Sequence, residues 1–545
     1  LAVILIMTIT CMSLSAFEHP LVLQKKLEEA KRITTILKQT NQLQTHGDRD
    51  SREYSVGDTR SFWKWDLTNM PPQNILVPAT CRAVGEYSYV FVANEDWPTH
   101  MNESDVQEVF NYLETETMNG DDFGAVEMDI MHFGELPDEL DNDSKLIVFY
   151  SELGSFQGST FDGYFNAYNQ MTDEQAQNYG EHSNECEMIY MTCHPLDPTD
   201  PIRISVLAHE LEHLIHWGGD INEDTWVNEG LAELAMVYFG MPDPISQFNS
   251  NPDNSLNTWN QDWADYVKTM LFFTYFMENF DDGTIMADIV SEQANSITGI
   301  QNQLIEHGYA IPFEAIFNNW TIANYLDDPS VAQGQYNYEN LTIPAFSTAH
   351  THGAFPADGS GTTNPWAADY MKLYPSEQNF HLNLEVSHPI NVGVIRMSEE
   401  IPSTVEYFAA DGVLDIDLPE MTEEFFRMVI VLPNSDDASL SYSYEVTETT
   451  EANEEELYHA KNKLQNFPNP FNPTTEISYH VGQTGNVTLE IFNSKGQLVE
   501  TLVDEEKTSG QHKAVWNAET QSSGIYFYKI TSNQFSETKK MVLLK

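Results

Sequence analysis

Two histidines four residues apart, followed by a glutamate on the next predicted helix, constrain this chain more than any other feature. Residues 209–213 are His-Glu-Leu-Glu-His, and Asn228-Glu229-Gly230 follows, with Glu229 sixteen positions past His213. Side chains four apart on a helix project from one face, so both imidazoles can reach a single cation. A carboxylate from a second helix would complete three protein ligands with one open position, the arrangement of catalytic zinc. The motif therefore predicts two packed helices that hold a zinc ion.

The residues around the motif supply the ends of both helices. Asp200-Pro201 is a favourable start, because an acidic N-cap precedes proline at the first helical position, where its missing N–H costs nothing. Neither proline nor glycine follows until Gly218-Gly219, which predicts the end of the first helix. Asp224 or Thr225 can cap a second helix that runs to about Tyr238. The short polar turn between the helices would fold the second one back and bring its glutamate towards the histidine face.

Three more side chains have predicted roles in a zinc hydrolase. Glu210 follows the first histidine, where its carboxylate can take a proton from a water molecule at the zinc. Glu233 lies one turn beyond Glu229 and is placed to hydrogen-bond the far nitrogen of a histidine ligand. Tyr266, in an apolar helix predicted for Trp263–Phe280, is the candidate electrophile for the oxyanion. A core position is the alternative for this tyrosine.

The run HELEH followed by WVNEGLAE resembles the gluzincin clan of metallopeptidases, in which a glutamate from a second helix is the third zinc ligand. Within that clan the chain looks like the hyicolysin-like family of secreted bacterial peptidases, over roughly residues 120–325. The resemblance implies a zincin-like α+β domain, with a mixed sheet beside the active-site helices. It also implies that His209, His213 and Glu229 are the zinc ligands. Glu210 would be the general base, and Glu233 would be the carboxylate that supports a ligand.

Several alternatives stay open at this point. Metzincins need glycine three residues and histidine six residues after the second histidine, whereas this chain has His216 and Gly219 there. His216 still lies on the ligand face, so it is either an alternative ligand or a histidine that supports the site without binding metal. A zinc aminopeptidase would need an acidic site for the α-amine of its substrate, for which no motif is present. A catalytically inactive zincin fold that serves as a surface adhesin or binding protein is a further alternative.

The first residues predict export. Residues 1–16 form a short apolar stretch that ends in small residues, and Ser13-Leu14-Ser15 has the spacing of a cleavage site next to Ala16. An initiating methionine and a basic start are missing, so we expect the sequence to be truncated there. Residues 17–53 are predicted to be a helical lead-in or a pro-segment. No later segment reaches transmembrane length, so the mature chain is predicted to lack a membrane span.

The net charge of the chain disfavours some classes of binding partner. With 84 acidic and 25 basic residues, the formal net charge is -59. Phosphate groups would be repelled, which argues against nucleic acid and anionic membranes as partners. The acidity suits an extracellular setting in which calcium is available. The run 138–143, Asp-Glu-Leu-Asp-Asn-Asp, has the spacing of a calcium loop but lacks the EF-hand glycine and terminal glutamate, so structural Ca²⁺ and an ordinary acidic turn are both compatible with it.

The cysteines allow two interpretations. Cys11 would leave with the signal peptide, and Cys186 and Cys193 are near enough in sequence to pair across a loop before the zinc helix. Cys81 would then be left over. Buried thiols are the alternative, and the absence of a Cys-x-x-Cys spacing argues against a zinc site built from these residues.

The last 80 or so residues form a separate predicted unit. Asn466-Phe-Pro-Asn-Pro-Phe-Asn-Pro opens it, and Lys539-Lys-Met-Val-Leu-Leu-Lys545 closes it, with regular strand and turn spacing between. This segment closely resembles the C-terminal sorting domain of bacterial type IX secretion cargo. The resemblance implies the type IX machinery as a partner, passage across an outer membrane, and then release or surface anchoring. An accessory immunoglobulin-like module is the alternative.

Strand and turn patterns complete the predicted organisation. Strands are predicted from Tyr54 to about Ala93, at 145–150 and at 186–192, and an edge strand beside the zinc helix would pair with the substrate backbone. Irregular loops are predicted for 326–375. The predicted units are a signal peptide (1–16), a lead-in or pro-segment (17–53) and a zincin-like metallopeptidase domain (54–325). A loop-rich region with a β-sandwich (326–445), an acidic linker (446–463) and a β-sandwich sorting domain (464–545) follow. Together they predict a secreted zinc-dependent endopeptidase.

Overall fold

The structure of the protein is a computed structural model, and the residues that it describes fall into these ranges: 21–45, 53–68, 71–138, 140–156, 159–374, 379–449, 464–481, 484–508, 510–532 and 536–544. The predicted signal peptide lies outside the described residues, as does the predicted acidic linker after residue 449. The described part of the chain contains an α+β unit with the histidine motif, followed by two units built from β-sheets.

A six-stranded mixed sheet forms one layer of the α+β unit. The first eight strands, β1–β8 in chain order, are Thr59–Asp66, Gln73–Val84, Ser88–Ala93, Leu146–Ser151, Ser155–Phe156, Ser159–Thr160, Gly163–Phe165 and Met188–Thr192. β5 and β6 form a small hairpin, and the other six pair in the order β1-β2-β3-β4-β8-β7. β3, β4 and β8 are parallel and buried along their whole length, as central parallel strands require, whereas β7 is an antiparallel edge strand. The strands predicted before the motif helix are confirmed.

Helices precede this sheet in the chain, connect some of its strands and follow its last strand. The ten α-helices of the described residues, α1–α10, are Leu21–Gln39, Glu103–Glu114, Ala125–Phe133, Asp173–Gln177, Pro201–Gly219, Thr225–Phe239, Trp263–Phe280, Ile285–Ser291, Ser296–Glu306 and Phe313–Leu326. α5 and α6 are the predicted motif helices, and their predicted ends are confirmed. The side chain of Asp200 accepts a hydrogen bond from the Ile202 N–H at 3.3 Å and so caps α5. Gly240 ends α6 in the left-handed conformation, with φ of 92°.

α6 packs closely between α5 and α7, and a glycine makes the close approach possible. A Cβ atom at Gly230 would lie 2.4 Å from the ring of Phe273 on α7. Trp226, one turn earlier on α6, is buried with its ring centroid 5.8 Å from that of Phe273. The glycine of the Asn-Glu-Gly motif therefore allows α6 to seat against α7 and fixes the position of the preceding Glu229.

α1, from the segment predicted as a lead-in or pro-segment, packs into an apolar core of the α+β unit. Leu23 and Ala30 are fully buried in the core that also contains Trp217 of α5. The indole N–H of Trp217 donates a hydrogen bond to Oγ1 of Thr34 at 3.2 Å. Removing α1 would therefore expose apolar surface that belongs to the same core as the motif helix.

Two sheets follow the α+β unit and face each other across an apolar core. Strands β9–β17 are His350–His352, Ala357–Thr363, Ala367–Leu373, Asn379–Val386, Ile390–Ser398, Thr404–Ala410, Val413–Asp417, Phe425–Asn434 and Leu440–Thr449. They form sheets in the orders β10-β17-β12-β15 and β14-β13-β16-β11-β9. This is the sandwich-like arrangement predicted from residue 380 onward.

The prediction of irregular loops for 326–375 is wrong at its C-terminal end, where β9, β10 and β11 lie. β10 has the sequence Ala-Asp-Gly-Ser-Gly-Thr-Thr, which is typical of a loop. Its glycines lie beneath two tyrosines of β17. A Cβ atom at Gly359 would be 2.4 Å from Oη of Tyr444, and a Cβ atom at Gly361 would be 2.4 Å from Oη of Tyr442. The tyrosine rings take the space of the missing side chains, so the glycine-rich segment is a strand.

The C-terminal unit also consists of two sheets. Strands β18–β24 are Gln465–Phe467, Thr474–Val481, Gly485–Asn493, Leu498–Lys507, Gly510–Asn517, Gly524–Ser532 and Ser536–Leu543. They pair in the orders β18-β19-β22 and β21-β20-β23-β24, around a core that includes the fully buried Trp516 and Tyr479. The small β-sandwich predicted for this segment is confirmed. Across the described ranges, no helix is long and apolar enough to cross a membrane.

Cys81, Cys186 and Cys193 are free and buried. The predicted pairing of Cys186 with Cys193 is therefore wrong, and the buried-thiol alternative holds. The two residues flank β8 seven positions apart, and side chains an odd number of positions apart on a strand point to opposite faces. Cys186 accordingly lies in the core that contains α1, whereas Cys193 lies in the core on the other side of the sheet.

Candidate metal centre and active-site cleft

His209, His213 and Glu229 bring three ligand atoms together between α5 and α6. The Nε2 atoms of the two histidines are 3.1 Å apart, and Oε2 of Glu229 is 3.6 Å from each of them. Ligands of a tetrahedral zinc ion, with bonds of about 2.0–2.1 Å, lie about 3.4 Å from one another. The donor atoms of these three side chains therefore fit a zinc ion without rearrangement.

Glu229 is held as a carboxylate by the histidines that face it. Burial opposes its ionisation, but the charges and hydrogen bonds of His213 and His209 outweigh burial and hold its pKa well below the usual value. A negative oxygen between two imidazole nitrogens is a donor set that favours a divalent cation.

Buried carboxylates lie behind both histidine rings. Nδ1 of His209 is 3.3 Å from Oε1 of Glu233, and Nδ1 of His213 is 3.7 Å from Oε2 of Glu212. Both glutamates are at most 2% exposed. The contact with Glu233 favours the tautomer of His209 whose proton is on Nδ1, which leaves its Nε2 unprotonated towards the ligand cluster, whereas Oε2 of Glu212 lies beyond hydrogen-bond distance of His213. The sequence predicted Glu233 in this place, but Glu212 was missed.

Glu210 lies between the ligand helix and the edge strand of the sheet. Its Oε2 accepts a hydrogen bond from the Phe165 N–H of β7 at 2.8 Å, and its side chain is almost fully buried. Gly163, at the start of β7, leaves room for the neighbouring strand β8, because a Cβ atom there would lie 2.7 Å from Sδ of Met191, while its distance of 3.4 Å from Cγ of Glu210 would be an ordinary contact. The predicted general base is thus held at the strand that would accompany an extended substrate.

Tyr266 of α7 faces the same cleft as Glu210 and Glu229. It is nearly buried, and burial followed by the charges of Glu229 and Glu233 raises its pKa well above the usual value. The phenol therefore keeps its proton at neutral pH and is available as a hydrogen-bond donor. Trp259 packs edge-on against its ring, with 4.9 Å between centroids. Tyr266 is thus a buried residue that also lines the cleft beside the candidate ligands.

Two clefts meet at the candidate metal centre, and Glu210 and Tyr266 line both of them. The first has a volume of about 440 Å³ and is bordered by His209, with Asp162 and Asp243 further along it. The second has a volume of about 780 Å³ and is bordered by His213 and Glu229 on one side and by α1 on the other. Space is therefore present on both sides of the ligand atoms.

Lys31 of α1 lies at the edge of the second cleft. Its Nζ donates hydrogen bonds to Oδ1 of Asn228 at 3.2 Å and to the carbonyl oxygen of Glu223 at 3.4 Å. Burial lowers its pKa, and the nearby charge of Glu229 acts in the opposite direction. This lysine was not predicted as part of the site, because its partners lie almost 200 residues away in the chain.

His216 does not join the ligand cluster. It is fully buried, and its Nδ1 lies 3.0 Å from Oε1 of Glu212, four residues earlier on α5. The sequence contained the signal for this pair, since side chains at positions i and i+4 of a helix meet. Of the two alternatives for His216, the structure places it as a support for the carboxylate behind His213.

Among the described residues, another set of possible ligands converges at the carboxyl ends of β3 and β4: Asp96, His100 and Glu152. Both carboxylate oxygens of Asp96 are already engaged within this group. Oδ1 of Asp96 is 2.8 Å from Nδ1 of His100, and its Oδ2 accepts a hydrogen bond from the Glu152 N–H at 3.0 Å. These contacts are sufficient to explain the cluster as an anchor for the loops that follow the two strands.

Comparison with known proteins identifies the C-terminal unit. Residues 465–544 match the family model described as the secretion system C-terminal sorting domain. Among curated proteins, nothing matches this chain. Solved structures show only weak likeness. PorZ, an essential bacterial surface component of the type IX secretion system of Porphyromonas gingivalis, is 19% identical over 19% of this chain and 14% of its own, with a TM-score of 0.12.

Two further solved structures are equally distant. A β-1,2-glucanase from Parabacteroides distasonis is 8% identical over 35% of this chain and 33% of its own, with a TM-score of 0.13. Tripeptidyl peptidase 2 is 7% identical over 39% of this chain and 32% of its own, with a TM-score of 0.14. The chain thus spans about a third or less of the length of these structures, and such TM-scores carry no argument about fold. What the family match identifies is a C-terminal type IX secretion sorting domain, by which the protein is secreted and attached at the cell surface.

Proposed function

We propose that the protein is a secreted zinc-dependent endopeptidase of the gluzincin type. The observation that carries the proposal is the convergence of Nε2 of His209, Nε2 of His213 and Oε2 of Glu229 beside an open cleft. Three protein ligands are typical of catalytic zinc, whereas structural zinc takes four. A mixed sheet with an antiparallel edge strand next to the ligand helix supports a zincin-like catalytic domain.

The chemistry divides among the side chains around the cleft. Zinc bound by this donor set supplies Lewis-acid polarisation of the scissile carbonyl and of the attacking water. Glu210 accepts the proton of that water and delivers it to the leaving amine. Tyr266 donates a hydrogen bond to the oxyanion that develops on the carbonyl. Glu233 holds the imidazole ring of His209 in the orientation that presents Nε2 to the cation, and Glu212 lies behind the ring of His213.

The edge strand β7 accounts for binding of the peptide. β7 is the last strand of its sheet, and an extended peptide can pair with such an edge by main-chain hydrogen bonds. The Phe165 N–H of this strand binds Glu210, so a peptide that pairs with β7 is aligned with the general base.

The shape of the clefts favours an endopeptidase over an aminopeptidase. An endopeptidase needs room for the substrate on both sides of the scissile bond, and the two clefts supply it. An aminopeptidase needs an acidic group free to bind the α-amine of the substrate. In the first cleft Asp162 is paired with Arg203, whose Nε lies 2.6 Å from Oδ1 of the aspartate, whereas Oδ1 of Asp243 has no hydrogen-bond partner among the described residues, so a peptide with a blocked N-terminus is needed to separate the two activities.

A casein or gelatin zymogram with the purified full-length protein tests the proposal. We expect cleared bands that vanish with a zinc chelator and return when zinc is added. Digestion of a peptide blocked at its N-terminus should continue, since an endopeptidase does not use the α-amine. Loss of cleavage on blocking would indicate an aminopeptidase. Zinc-loaded protein that cleaves none of these substrates would contradict a peptidase function and restore the inactive binding protein.

A further inference from the structure

Asp243 is a buried acidic residue of the first cleft with no assigned role. Its side chain is 6% exposed, and its Oδ1 has no hydrogen-bond partner among the described residues. The residue lines the same cleft as Glu210 and Tyr266, the proposed general base and oxyanion donor. Burying a polar group without a partner is costly, so an unpartnered carboxyl group beside these two side chains is a candidate for binding part of the substrate.

The other three acidic residues that line this cleft already have partners. Glu210 accepts a hydrogen bond from the main chain of β7, and Asp162 is paired with Arg203. Glu233 lies behind the ring of His209. Among the described residues, none of those that line the cleft is a lysine or an arginine. The remaining acid is therefore the one with which a cationic group of a substrate can pair.

The loop that follows α6 holds Asp243 in a fixed position. Pro242 and Pro244 flank the residue, and each proline ring fixes its own φ angle, while Pro244 also restricts the backbone of Asp243. The hydroxyl group of Ser205 on α5 donates a hydrogen bond to the carbonyl oxygen of Met241 at 2.7 Å. This bond ties the loop to the helix that carries the candidate histidine ligands. A group that recognises substrate needs such a fixed position.

Apolar side chains form the rest of the first cleft. They are Phe161, Val206, Met236 and Trp263. Lysine and arginine side chains pack their methylene stems along apolar surface and direct the charged end to a polar group. The first cleft therefore offers both of the surfaces that a long basic side chain uses.

We propose that the first cleft is a specificity pocket in which Asp243 pairs with a lysine or arginine side chain of the substrate, next to the scissile bond. The inference rests on the proposed peptidase function and adds a substrate class to it. The α-amine of a peptide is a cation of the same chemistry and is the rival occupant. A long basic side chain is favoured because it uses the apolar walls and the carboxyl group together.

A bound cation would also change the ionisation of Asp243. Burial, followed by the negative charge of Glu233, raises the pKa of Asp243 well above its usual value. An ammonium or guanidinium group beside the carboxyl group acts in the opposite direction and favours the ionised form. Asp243→Asn copies the protonated form in size and shape, so this variant removes the charge without opening a cavity.

Cleavage of matched peptides by the zinc-loaded, full-length protein tests the pocket. Mass spectrometry of casein digests first identifies the cleaved bonds, and we expect lysine or arginine next to most of them. Two peptides, blocked at both ends and built on a preferred bond, then differ only in lysine or norleucine at that position. Norleucine keeps the stem but lacks the ammonium group. Wild-type protein should therefore cleave the lysine peptide with a kcat/KM that is higher by at least about tenfold.

Asp243→Asn should lower kcat/KM for the lysine peptide by about tenfold or more and leave that for the norleucine peptide nearly unchanged. A merely structural role would lower both values equally and would overturn the proposal. Asp197→Asn is the matched control, because Asp197 also precedes a proline but is exposed and does not line the cleft. This variant should keep the wild-type preference for lysine.

The outcomes for the pocket and for the peptidase function can be told apart. Wild-type protein that cleaves both blocked peptides equally well would overturn the pocket and leave the peptidase function intact. Cleavage of the lysine peptide only when its N-terminus is free would assign Asp243 to the α-amine instead. Failure to cleave any peptide would contradict the proposed function and the pocket with it. If Asp243→Asn fails to fold, the ratio of the two peptides in the wild-type protein still decides.

Discussion

Nδ1 of His209 lies 3.3 Å from Oε1 of Glu233, one helical turn beyond the glutamate that faces the other nitrogen of the same ring. α6 therefore supplies both a candidate ligand and the group that orients a histidine ligand. The two roles follow from helical geometry, because positions 229 and 233 share a face of α6. The position of α6 thus determines where both of these glutamates lie in the candidate metal centre.

The role of Glu233 can be tested by removing its carboxylate. Glu233→Ala should lower zinc affinity or activity by about 10–100-fold, since the ring of His209 loses the partner that fixes its tautomer. Zinc affinity is measured by competition with a chromophoric chelator. Glu306→Ala, an exposed glutamate at the end of α9, serves as the control and should leave the affinity unchanged. Equal affinities in the two variants would contradict the orienting role.

The third ligand can be distinguished from the neighbouring histidine of α5. Glu229→Ala should reduce zinc occupancy sharply, because it removes one of three donor atoms. His216→Gln should leave occupancy nearly unchanged, since His216 binds Glu212 rather than the ligand cluster. Metal analysis of both purified variants by mass spectrometry provides the comparison. The opposite ranking would show that His216, and not Glu229, completes the site.

Gly230 offers a test of how helix packing positions the metal centre. In Gly230→Ala the new methyl group would meet the ring of Phe273, and overpacking of this kind costs about 1–3 kcal/mol. The higher helix propensity of alanine compared with glycine offsets about 1 kcal/mol of this cost. We expect a net loss of up to about 2 kcal/mol in the free energy of unfolding, with weaker zinc binding, because α6 must move.

Gly218→Ala is the matched control for Gly230→Ala. Gly218 also lies within a helix, but a Cβ atom there would make an ordinary contact, 3.5 Å from Pro137. Urea unfolding should therefore show stability equal to or above that of the wild type. If both alanine variants behaved alike, close packing of α6 on α7 would not explain the glycine of the motif.

The sorting domain should be dispensable for catalysis but not for export. Its core is made of its own residues, so deletion of 464–545 should leave the remaining protein folded and active on casein. In a host with type IX secretion, the same deletion should retain the protein in the periplasm. Immunoblots of periplasm and medium, with mass spectrometry of the exported wild type, provide the measurement. Normal export of the truncated protein would contradict the sorting role.

The sequence was sufficient to predict the features that depend on residues close together in the chain. Asp200 and Pro201 start α5, and Gly218-Gly219 end it, because the ends of a helix are set by the residues next to them. The cluster of His209, His213 and Glu229 was equally predictable, since helical periodicity and a short turn leave few ways to place them. These residues lie close together in the sequence, and the local rules act within such distances.

Features that depend on distant parts of the chain were missed. Lys31 reaches the cleft beside the candidate metal centre through a core that joins α1 to α5, and no local pattern reveals that contact. The glycines of β10 resemble a loop until the tyrosines of β17 are known to cover them. The burial of Glu212 behind His213 depends likewise on the helices that enclose α5. Packing partners, rather than propensities, decide each of these cases.

The most direct test of the central claim is the ratio of activity to bound zinc in Glu210→Gln. The substitution keeps the size of the side chain and removes the base, while the three candidate ligands remain. We expect one zinc ion per chain, as in the wild-type protein, together with a kcat/KM on a blocked peptide that is lower by at least about a hundredfold. Activity near the wild-type level with a full complement of zinc would contradict Glu210 as the general base and, with it, the proposed peptidase mechanism.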